Sequence, residues 1–169
     1  MSEIEIEIDG NLVKASQGDS IISIADREGI DVPRFCYHKK LSVAANCRMC
    51  LVDVEGIPKA QPACSTPAAN GMKINTKNDK AKFAQKAVME FLLINHPLDC
   101  PICDQGGECE LQDVAMEYGS DVSKFNLGKR IVPDKGIGAL IQTDMTRCIH
   151  CTRCVRCGAE VAGIVEMGG

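Results

Sequence analysis

The chain opens with a regular alternation of apolar and charged residues. Isoleucines alternate with glutamates over residues 3–8, which predicts a strand with one buried and one solvated face. The dipeptide Asp9-Gly10 is a strong signal for a two-residue turn, and an apolar pair at 12–13 begins a return strand. Residues 3–15 therefore predict a β-hairpin.

A short helix is predicted next, over residues 20–28. Its apolar positions recur at helical spacing, Asp19 or Ser20 can cap its first turn, and Gly29 is placed to end it. Strands are predicted at 51–54 and near 72–75. A hairpin, a helix, a cysteine-bearing loop without periodicity and further strands together predict a β-grasp sheet crossed by a helix.

A second helix is predicted to follow. Thr76 and Asp79 have the spacing of a capping box, with Asp in place of Glu. Pro97 ends the helix, which puts His96 at its carboxyl end. An apolar stripe at helical spacing is expected to face the core. The stripe comprises Phe83, Ala87, Val88, Phe91 and Leu92.

The remaining pattern predicts short elements joined by irregular segments. Residues 111–118 predict a short helix, and the polar, Gly- and Pro-marked residues 119–136 predict an irregular connection. Residues 140–144 are weakly strand-like, and residues 155–162 predict a helical end. The expected fold class is therefore α+β.

Composition narrows the class of protein. The formal net charge is -4, which argues against nucleic acid as a partner. No apolar segment follows Met1, so no secretory signal is expected, and no apolar run reaches the roughly 18 residues of a membrane helix.

The cysteine count is odd, at 11, and a reducing compartment favours metal binding over disulfides. Aromatic residues are scarce, and bound metal can supply the folding free energy that a small core lacks.

The cysteines fall into three runs, and the first has the spacing of a plant-type [2Fe–2S] site, with three thiolates from one loop and a fourth from further on. A zinc site also uses four cysteines, but it usually has two close pairs, and this run has one. A [2Fe–2S] cluster is therefore the favoured hypothesis. The run comprises Cys36, Cys47, Cys50 and Cys64.

The second run supplies one imidazole and three thiolates, enough for the four corners of a [4Fe–4S] cluster. Gly106 and Gly107 would let the chain turn tightly around it. The alternative for the histidine is a helix-terminal residue that interacts with the helix dipole. Its position beside a proline and four residues before the first cysteine favours ligation. The run comprises His96, Cys100, Cys103 and Cys109.

The third run, Cys148, Cys151 and Cys154, supplies three corners of a second [4Fe–4S] cluster. The fourth ligand is either missing or Cys157, which lies one helical turn after Cys154. Alternatively, Cys157 is a small buried apolar residue. Flanking arginines either balance cluster charge, form an interface salt bridge or line an exposed basic face. They are Arg147, Arg153 and Arg156.

These sites predict three domains. Residues 1–77 form a β-grasp [2Fe–2S] ferredoxin-like domain, and residues 78–125 form a helical domain with the His-ligated [4Fe–4S] cluster. Residues 126–169 begin a ferredoxin-like [4Fe–4S] segment. The expected cofactors are one [2Fe–2S] cluster and one or two [4Fe–4S] clusters.

Three segments resemble one protein family closely. They are HPLDCPICDQGGECELQD at 96–113, EYGSD at 117–121 and MTRCIHCTRCVR at 145–156. They are similar to the large iron–sulfur subunit of NADH:quinone oxidoreductase, respiratory complex I, which occurs in bacteria and, as the 75 kDa subunit, in mitochondria. The resemblance implies the same ligands for all three runs.

The sequence departs from this family in two ways. The family usually has Phe where this chain has Cys157. The family's fourth ligand to the third cluster lies several dozen residues beyond the local triplet, whereas this sequence ends at Gly169. A large molybdopterin-oxidoreductase-like domain follows in the family. The chain is therefore expected to be an amino-terminal part.

The resemblance implies an electron relay from the NADH and flavin site toward quinone. The chain would be an electron-transfer subunit without a substrate-converting site of its own. Its partners would be the flavin- and NADH-binding subunit and other complex I subunits, with no direct membrane span. It would lie peripherally on the cytoplasmic face of a bacterial inner membrane, or on the matrix side in a mitochondrion.

Two alternatives remain. The first is the diaphorase-type iron–sulfur subunit of an NAD-reducing hydrogenase or NAD-dependent formate dehydrogenase, which shares the ferredoxin module and the cluster site of one histidine and three cysteines. The second is a zinc-stabilised interaction module without a redox role, which would be colourless.

Overall fold

The computed structural model describes residues 3–168 and divides the chain into two compact units. The first unit contains the residues up to Gln85 together with those from Cys151 on, and the second unit is Lys86–His150. The prediction of three domains bounded at 77/78 and 125/126 stays a prediction. No helix among the described residues is both long and apolar enough to span a membrane.

A five-stranded mixed sheet forms the body of the first unit. The strands are β1 (Glu3–Ile8), β2 (Asn11–Ser16), β3 (Leu51–Val54), β4 (Gln61–Pro62) and β5 (Lys73–Asn75), in the spatial order β2-β1-β5-β3-β4. β1 pairs in parallel with β5, and the other pairs are antiparallel. The predicted hairpin, α+β class and β-grasp arrangement are thus confirmed.

Alternation along the hairpin fills one face of the sheet. Ile4, Ile6 and Ile8 are buried, and the register opposes Ile4 to Ala15 and Ile6 to Val13, which are buried as well. Because strand side chains alternate between faces, this register puts all five apolar side chains on the core side.

Helix α1 (Ile21–Arg27) contributes to the same core. Ser20 caps it, since its hydroxyl accepts a hydrogen bond from the amide of Ser23, and Gly29 follows with a φ of +70°. The buried residues of this helix are Ile21, Ile22, Ile24 and Ala25. Residues 28–50 form no helix or strand and carry three of the cysteines of the first run.

Helix α2 (Asp79–Ile94) begins differently from the prediction. Asn78 caps it by accepting a hydrogen bond from the amide of Ala81 at 3.0 Å. Thr76 instead donates from its amide and hydroxyl to the carboxylate of Asp9, at 2.7 and 2.6 Å. The predicted capping box is wrong because the turn of the distant hairpin offers Thr76 a better acceptor.

The predicted core-facing stripe of α2 is also wrong. Phe83 is 72% exposed and Phe91 is 68% exposed, whereas Ala81, Gln85 and Met89 are buried. The buried residues recur every four positions and include a polar one, because Gln85 donates to the backbone carbonyl of Leu51 at 3.0 Å. Tertiary partners, and not apolarity, therefore select the buried face.

The second unit contains helix α3 (Glu110–Tyr118) and a long irregular segment, as predicted, and also a 3₁₀ turn at Cys100–Ile102, which was not predicted. The strand expected at 140–144 is not present, and no strand occurs elsewhere in this fully described unit. The backbone amide and carbonyl groups of a strand must pair with a neighbouring strand, and this unit offers residues 140–144 no such neighbour. In the first unit, helix α4 (Arg153–Cys157) continues as a π-helical turn at Gly158–Ala162, which confirms the predicted helical end.

Candidate metal centres

The cysteines of the first run lie where the irregular loop meets the sheet. Cys50 directly precedes β3, and Cys64 follows β4 by two residues. The amide of Ala63 donates to the carbonyl of Cys50 at 2.9 Å, which fixes these two segments side by side. Cys36, Cys50 and Cys64 are 1% exposed, and Cys47 is half-buried.

These four thiols form one connected group. The side chain of Cys36 interacts with those of Cys47 and Cys64, and the side chain of Cys64 also interacts with that of Cys50. The amide of Cys36 donates to the Cys47 sulfur at 3.4 Å. Mutual hydrogen bonding lowers the pKa of Cys36 and Cys50 and raises the pKa of Cys47 and Cys64, because neighbouring thiols share protons.

The backbone beside Cys47 is strained. Ala45 and Arg48 have φ values of +51° and +60°, a conformation that costs about 1 kcal/mol or more in a residue other than glycine. His150 and Thr152, on either side of Cys151, have φ values of +56° and +60°. Such strain is concentrated at ligand-binding loops, and the sequence carries no signal for it, since none of these residues is a glycine.

In the second unit, all four side chains of the second run line one cavity of about 280 Å³. His96 follows the end of α2, Cys100 begins the 3₁₀ turn, and Cys109 directly precedes α3. The carbonyl of Cys100 would lie 2.7 Å from a Cβ atom at Gly106, so only glycine fits that turn without a shift. The structure therefore brings together the residues that the spacing predicted for this site.

The environment of His96 favours the neutral imidazole that binds metals. Burial lowers its pKa, and the positive charges of Lys129 and Arg147 lower it further, against the opposing effect of Asp99. Arg147 also lines the cavity and pairs with Asp99 at 3.2 Å.

The third run is divided between the two units, because their boundary falls between His150 and Cys151. The amide of His150 donates to the Cys148 sulfur at 3.4 Å. Cys154 and Cys157 share helix α4, three residues apart, and both are exposed. The interpretation of Cys157 as a buried apolar residue is therefore wrong, while its role as a ligand stays a prediction.

Across residues 3–168, no three or more His, Cys, Asp or Glu side chains are arranged to hold a single metal ion. The fit of an iron–sulfur cluster to the first run rests on the donor set itself, four clustered and largely buried thiols. For the second run it rests on the shared cavity, which the imidazole and the three thiols line.

Three family models match successive parts of the chain. Residues 1–79 match a 2Fe-2S iron-sulfur cluster binding domain, and residues 85–124 match the NADH-ubiquinone oxidoreductase-G iron-sulfur binding region. Residues 138–169 match the ferredoxin-like domain of NADH-quinone oxidoreductase subunit 3.

Relatives of the same description align along almost the whole chain. The mitochondrial NADH dehydrogenase [ubiquinone] iron-sulfur protein 1 of Solanum tuberosum is 56% identical over 98% of this chain and 22% of its own length. The NADH-ubiquinone oxidoreductase 75 kDa subunit of Reclinomonas americana is 54% identical over 98% of this chain and 24% of its own length. A bacterial relative, from the NADH-quinone oxidoreductase of Rickettsia felis, is 52% identical over 98% of this chain and 25% of its own length. The chain thus spans about a quarter of the length of these relatives.

A solved structure has the same fold. In a crystal structure of NAD+-reducing [NiFe]-hydrogenase in the H2-reduced state, one chain superposes with a TM-score of 0.83 at 25% sequence identity. The superposition covers 92% of this chain and 65% of that one.

Fold, cysteine geometry and family models together define an iron–sulfur protein with a [2Fe–2S]-binding domain and [4Fe–4S]-binding regions. The sequence identity to the relatives above then identifies the family. The chain belongs to the large iron–sulfur subunits of NADH:quinone oxidoreductase and corresponds to their amino-terminal region. The predicted resemblance, fold class and cofactor types are confirmed.

Proposed function

We propose that this chain is the electron-relay segment of an NADH:quinone oxidoreductase and passes electrons from the NADH and flavin site toward quinone. The group of four largely buried thiols at the edge of a β-grasp sheet carries the proposal. It is supported by the similarity to complex I subunits along 98% of the chain. When bound, the clusters carry single electrons, and the chain itself holds the clusters and sets their reduction potentials.

The first two cysteine runs are assigned as the ligands of separate clusters. Burial of the first run keeps water from the [2Fe–2S] site, and hydrogen bonds to sulfur such as that from the Cys36 amide tune its potential. In the second run, burial and nearby cations hold His96 in the neutral form that can ligate a [4Fe–4S] cluster. The ligands are Cys36, Cys47, Cys50 and Cys64 for the first and His96, Cys100, Cys103 and Cys109 for the second.

The assignment of the third run rests on spacing and on the ferredoxin-like family model over residues 138–169. Cys148, Cys151 and Cys154 hold a second [4Fe–4S] cluster, and its fourth ligand is Cys157 or a cysteine in a further part of the protein. The chain works as a peripheral subunit beside the flavin- and NADH-binding subunit. It lies on the cytoplasmic or matrix side of the membrane.

The test is EPR spectroscopy of the anaerobically purified, dithionite-reduced chain, with iron and sulfide measured on the same sample. We expect one [2Fe–2S] signal and at least one [4Fe–4S] signal. Cys47→Ser should remove the former alone, and Cys103→Ser the latter alone. Cys157→Ser is the matched substitution for the third site, since it removes a [4Fe–4S] signal only if Cys157 is a ligand. A colourless chain containing zinc would refute the proposal.

A second candidate function, the iron–sulfur subunit of an NAD-reducing hydrogenase, is favoured by the fold similarity at a TM-score of 0.83. Deleting the gene in its own host distinguishes the two. Complex I membership predicts loss of membrane-bound NADH:quinone activity, whereas the hydrogenase assignment predicts loss of H2-dependent NAD+ reduction with NADH:quinone activity intact.

A further inference from the structure

The loop that begins the first cysteine run leaves several carbonyl groups outside any sheet or helix. Within residues 36–42, the carbonyls of Cys36, Tyr37 and Ser42 accept hydrogen bonds from arginines of α4. These contacts join residues more than 100 positions apart in the sequence, and all of them lie within the first unit.

Arg156 makes most of these contacts. Its guanidinium donates to the carbonyl of Cys36, to that of Ser42 at 2.6 Å and to that of Cys151 at 3.3 Å. Its Nε atom also donates to the Thr152 hydroxyl at 3.2 Å. One side chain therefore joins the backbones of two cysteines that belong to different runs.

Glu160 holds the same loop from the next helical turn. Its carboxylate accepts hydrogen bonds from both the amide, at 2.8 Å, and the hydroxyl of Ser42. Together with the contact from Arg156, these bonds satisfy the amide, carbonyl and hydroxyl groups of Ser42. The loop is thus fixed at both of its ends.

An arginine suits this place better than a lysine does. The planar guanidinium presents five donors in a fixed fork, so it can bind several carbonyls in different directions at once. A lysine would keep the charge but concentrate its three donors on one flexible atom. Replacing Arg156 by lysine therefore separates the effect of geometry from that of charge.

We infer that Arg156 is a positioning residue that holds the Cys36 loop against the backbone of the third cysteine run and thereby fixes the geometry of the first metal site. The inference rests on the proposed function, since it takes Cys36 and Cys151 as cluster ligands. Its measurable consequence is that the [2Fe–2S] site depends on contacts from a segment remote in sequence.

The experiment uses the full, cluster-loaded chain as wild type, Arg156→Lys, Arg156→Gln and the control Arg27→Lys. The control alters an arginine of the same unit whose guanidinium donates to the carbonyl of Lys14 and pairs with Asp19 and Glu28 instead. Two properties are measured: the line width and g-values of the [2Fe–2S] EPR signal, and the rate at which a chelator removes iron from that site.

Both Arg156 variants should broaden the [2Fe–2S] signal and release its iron about tenfold faster, the effect of losing one strong charge-assisted hydrogen bond. The [4Fe–4S] signal of the second site should persist in both. Complete loss of the [2Fe–2S] cluster alone would also support the inference. Arg27→Lys should leave both sites unchanged.

Three outcomes would overturn the inference. They are a wild-type signal and iron-release rate in Arg156→Lys, an equal effect of Arg27→Lys on the first site, and parallel loss of the second-site signal, which would mean general misfolding. A wild-type chain without any [2Fe–2S] signal would instead refute the proposed function, so the two failures are distinguishable.

Discussion

The two units of this chain build candidate cluster sites by opposite means. In the first, Cys50 and Cys64 belong to a contiguous core of isoleucines, valines and alanines, and Cys36, Cys50 and Cys64 are each 1% exposed. In the second, Met89 and Leu111 are the only buried apolar residues among those described, and the cysteines are exposed or half-buried. The first site is therefore organised by the protein, whereas the second requires its cluster to organise it.

The surface of the second unit supports this difference. Many large apolar side chains there are exposed, among them Leu98 at 87% and Met116 at 89%. Exposed apolar residues in such number contribute nothing to a core. Since a cluster bound by four ligands crosslinks the chain, metal-binding free energy can replace the missing burial.

The largest predicted effect follows from removing the clusters. In the apo chain, we expect amide hydrogens of β1 and α1 to remain protected from exchange, while protection across residues 96–118 is lost. The reason is that a buried core supports the former elements and the latter depend on metal ligation. Hydrogen exchange followed by mass spectrometry measures both regions in one sample. Equal loss of protection in the two units would contradict the claim that only the second unit depends on its cluster for order.

A substitution in the core tests the first unit directly. Ile24 is fully buried in α1, so Ile24→Ala should lower the free energy of unfolding by about 2–5 kcal/mol. Leu12→Ala is the matched control, because Leu12 is 71% exposed and its truncation should change stability by less than about 0.5 kcal/mol. Denaturant titration of the cluster-loaded chain, monitored by far-UV circular dichroism, gives both values. Similar losses for the two variants would contradict a preorganised core.

The same contrast explains what sequence pattern could predict. In the first unit, alternation and turn signals located the hairpin, α1, β3 and β5 to within one or two residues. Residues close to one another in the sequence determine where those elements begin and end. β4 was missed because a strand of two residues, one of them proline, has no periodicity to detect. Cysteine spacing also grouped the side chains that the structure brings together in the first two runs, while their role as cluster ligands stays a prediction.

Where distant partners decide the outcome, the pattern was insufficient. Thr76 and Gln85 find acceptors in remote strands and turns, which changed the start and the buried face of α2. The apolar residues at 140–144 predicted a strand, yet Leu140 is 98% exposed and no strand edge is available to it. Sequence likewise gave no sign that Arg156 reaches the Cys36 carbonyl.

A glycine substitution tests whether the second site needs its tight turn. A Cβ atom at Gly106 would lie 2.7 Å from the Cys100 carbonyl and 3.1 Å from the Cys103 carbonyl, so the turn must open in Gly106→Ala. The expected cost is about 1–3 kcal/mol, seen as a lower [4Fe–4S] content and faster cluster loss with an unchanged [2Fe–2S] signal.

Gly128→Ala is its control in the same unit, because nothing lies within 4 Å of a Cβ atom there. Iron and sulfide analysis, together with EPR of both variants, checks the prediction. If Gly106→Ala retained as much [4Fe–4S] cluster as Gly128→Ala, the turn would not constrain the second site.

The smallest predicted effect concerns the ion pair between Asp53 of β3 and Lys80 of α2. The Asp53 side chain is 15% exposed, forms an ion pair with Lys80 at 2.6 Å and accepts a hydrogen bond from Asn78 at 2.7 Å. These two contacts, and that with Lys80 more than that with Asn78, hold the pKa of Asp53 below its ordinary value of 3.8. Lys80→Met should therefore lower the free energy of unfolding by about 1 kcal/mol at neutral pH. Lys14→Met should change it little, since that lysine pairs with Glu3 at 3.6 Å and both side chains are exposed.

The sign of the pH dependence follows from the lowered pKa of Asp53. Above the carboxyl's ordinary value, Asp53 is ionised in both the folded and unfolded chain, and the full stabilisation by Lys80 is present. As the pH falls through that value toward the lower folded pKa, the unfolded chain takes up the proton first and the stabilisation is lost. The difference between wild type and Lys80→Met should hence be constant from pH 7 to about pH 5 and shrink below about pH 4. A difference that grew on acidification would mean that the Asp53 contact with Lys80 does not stabilise the fold.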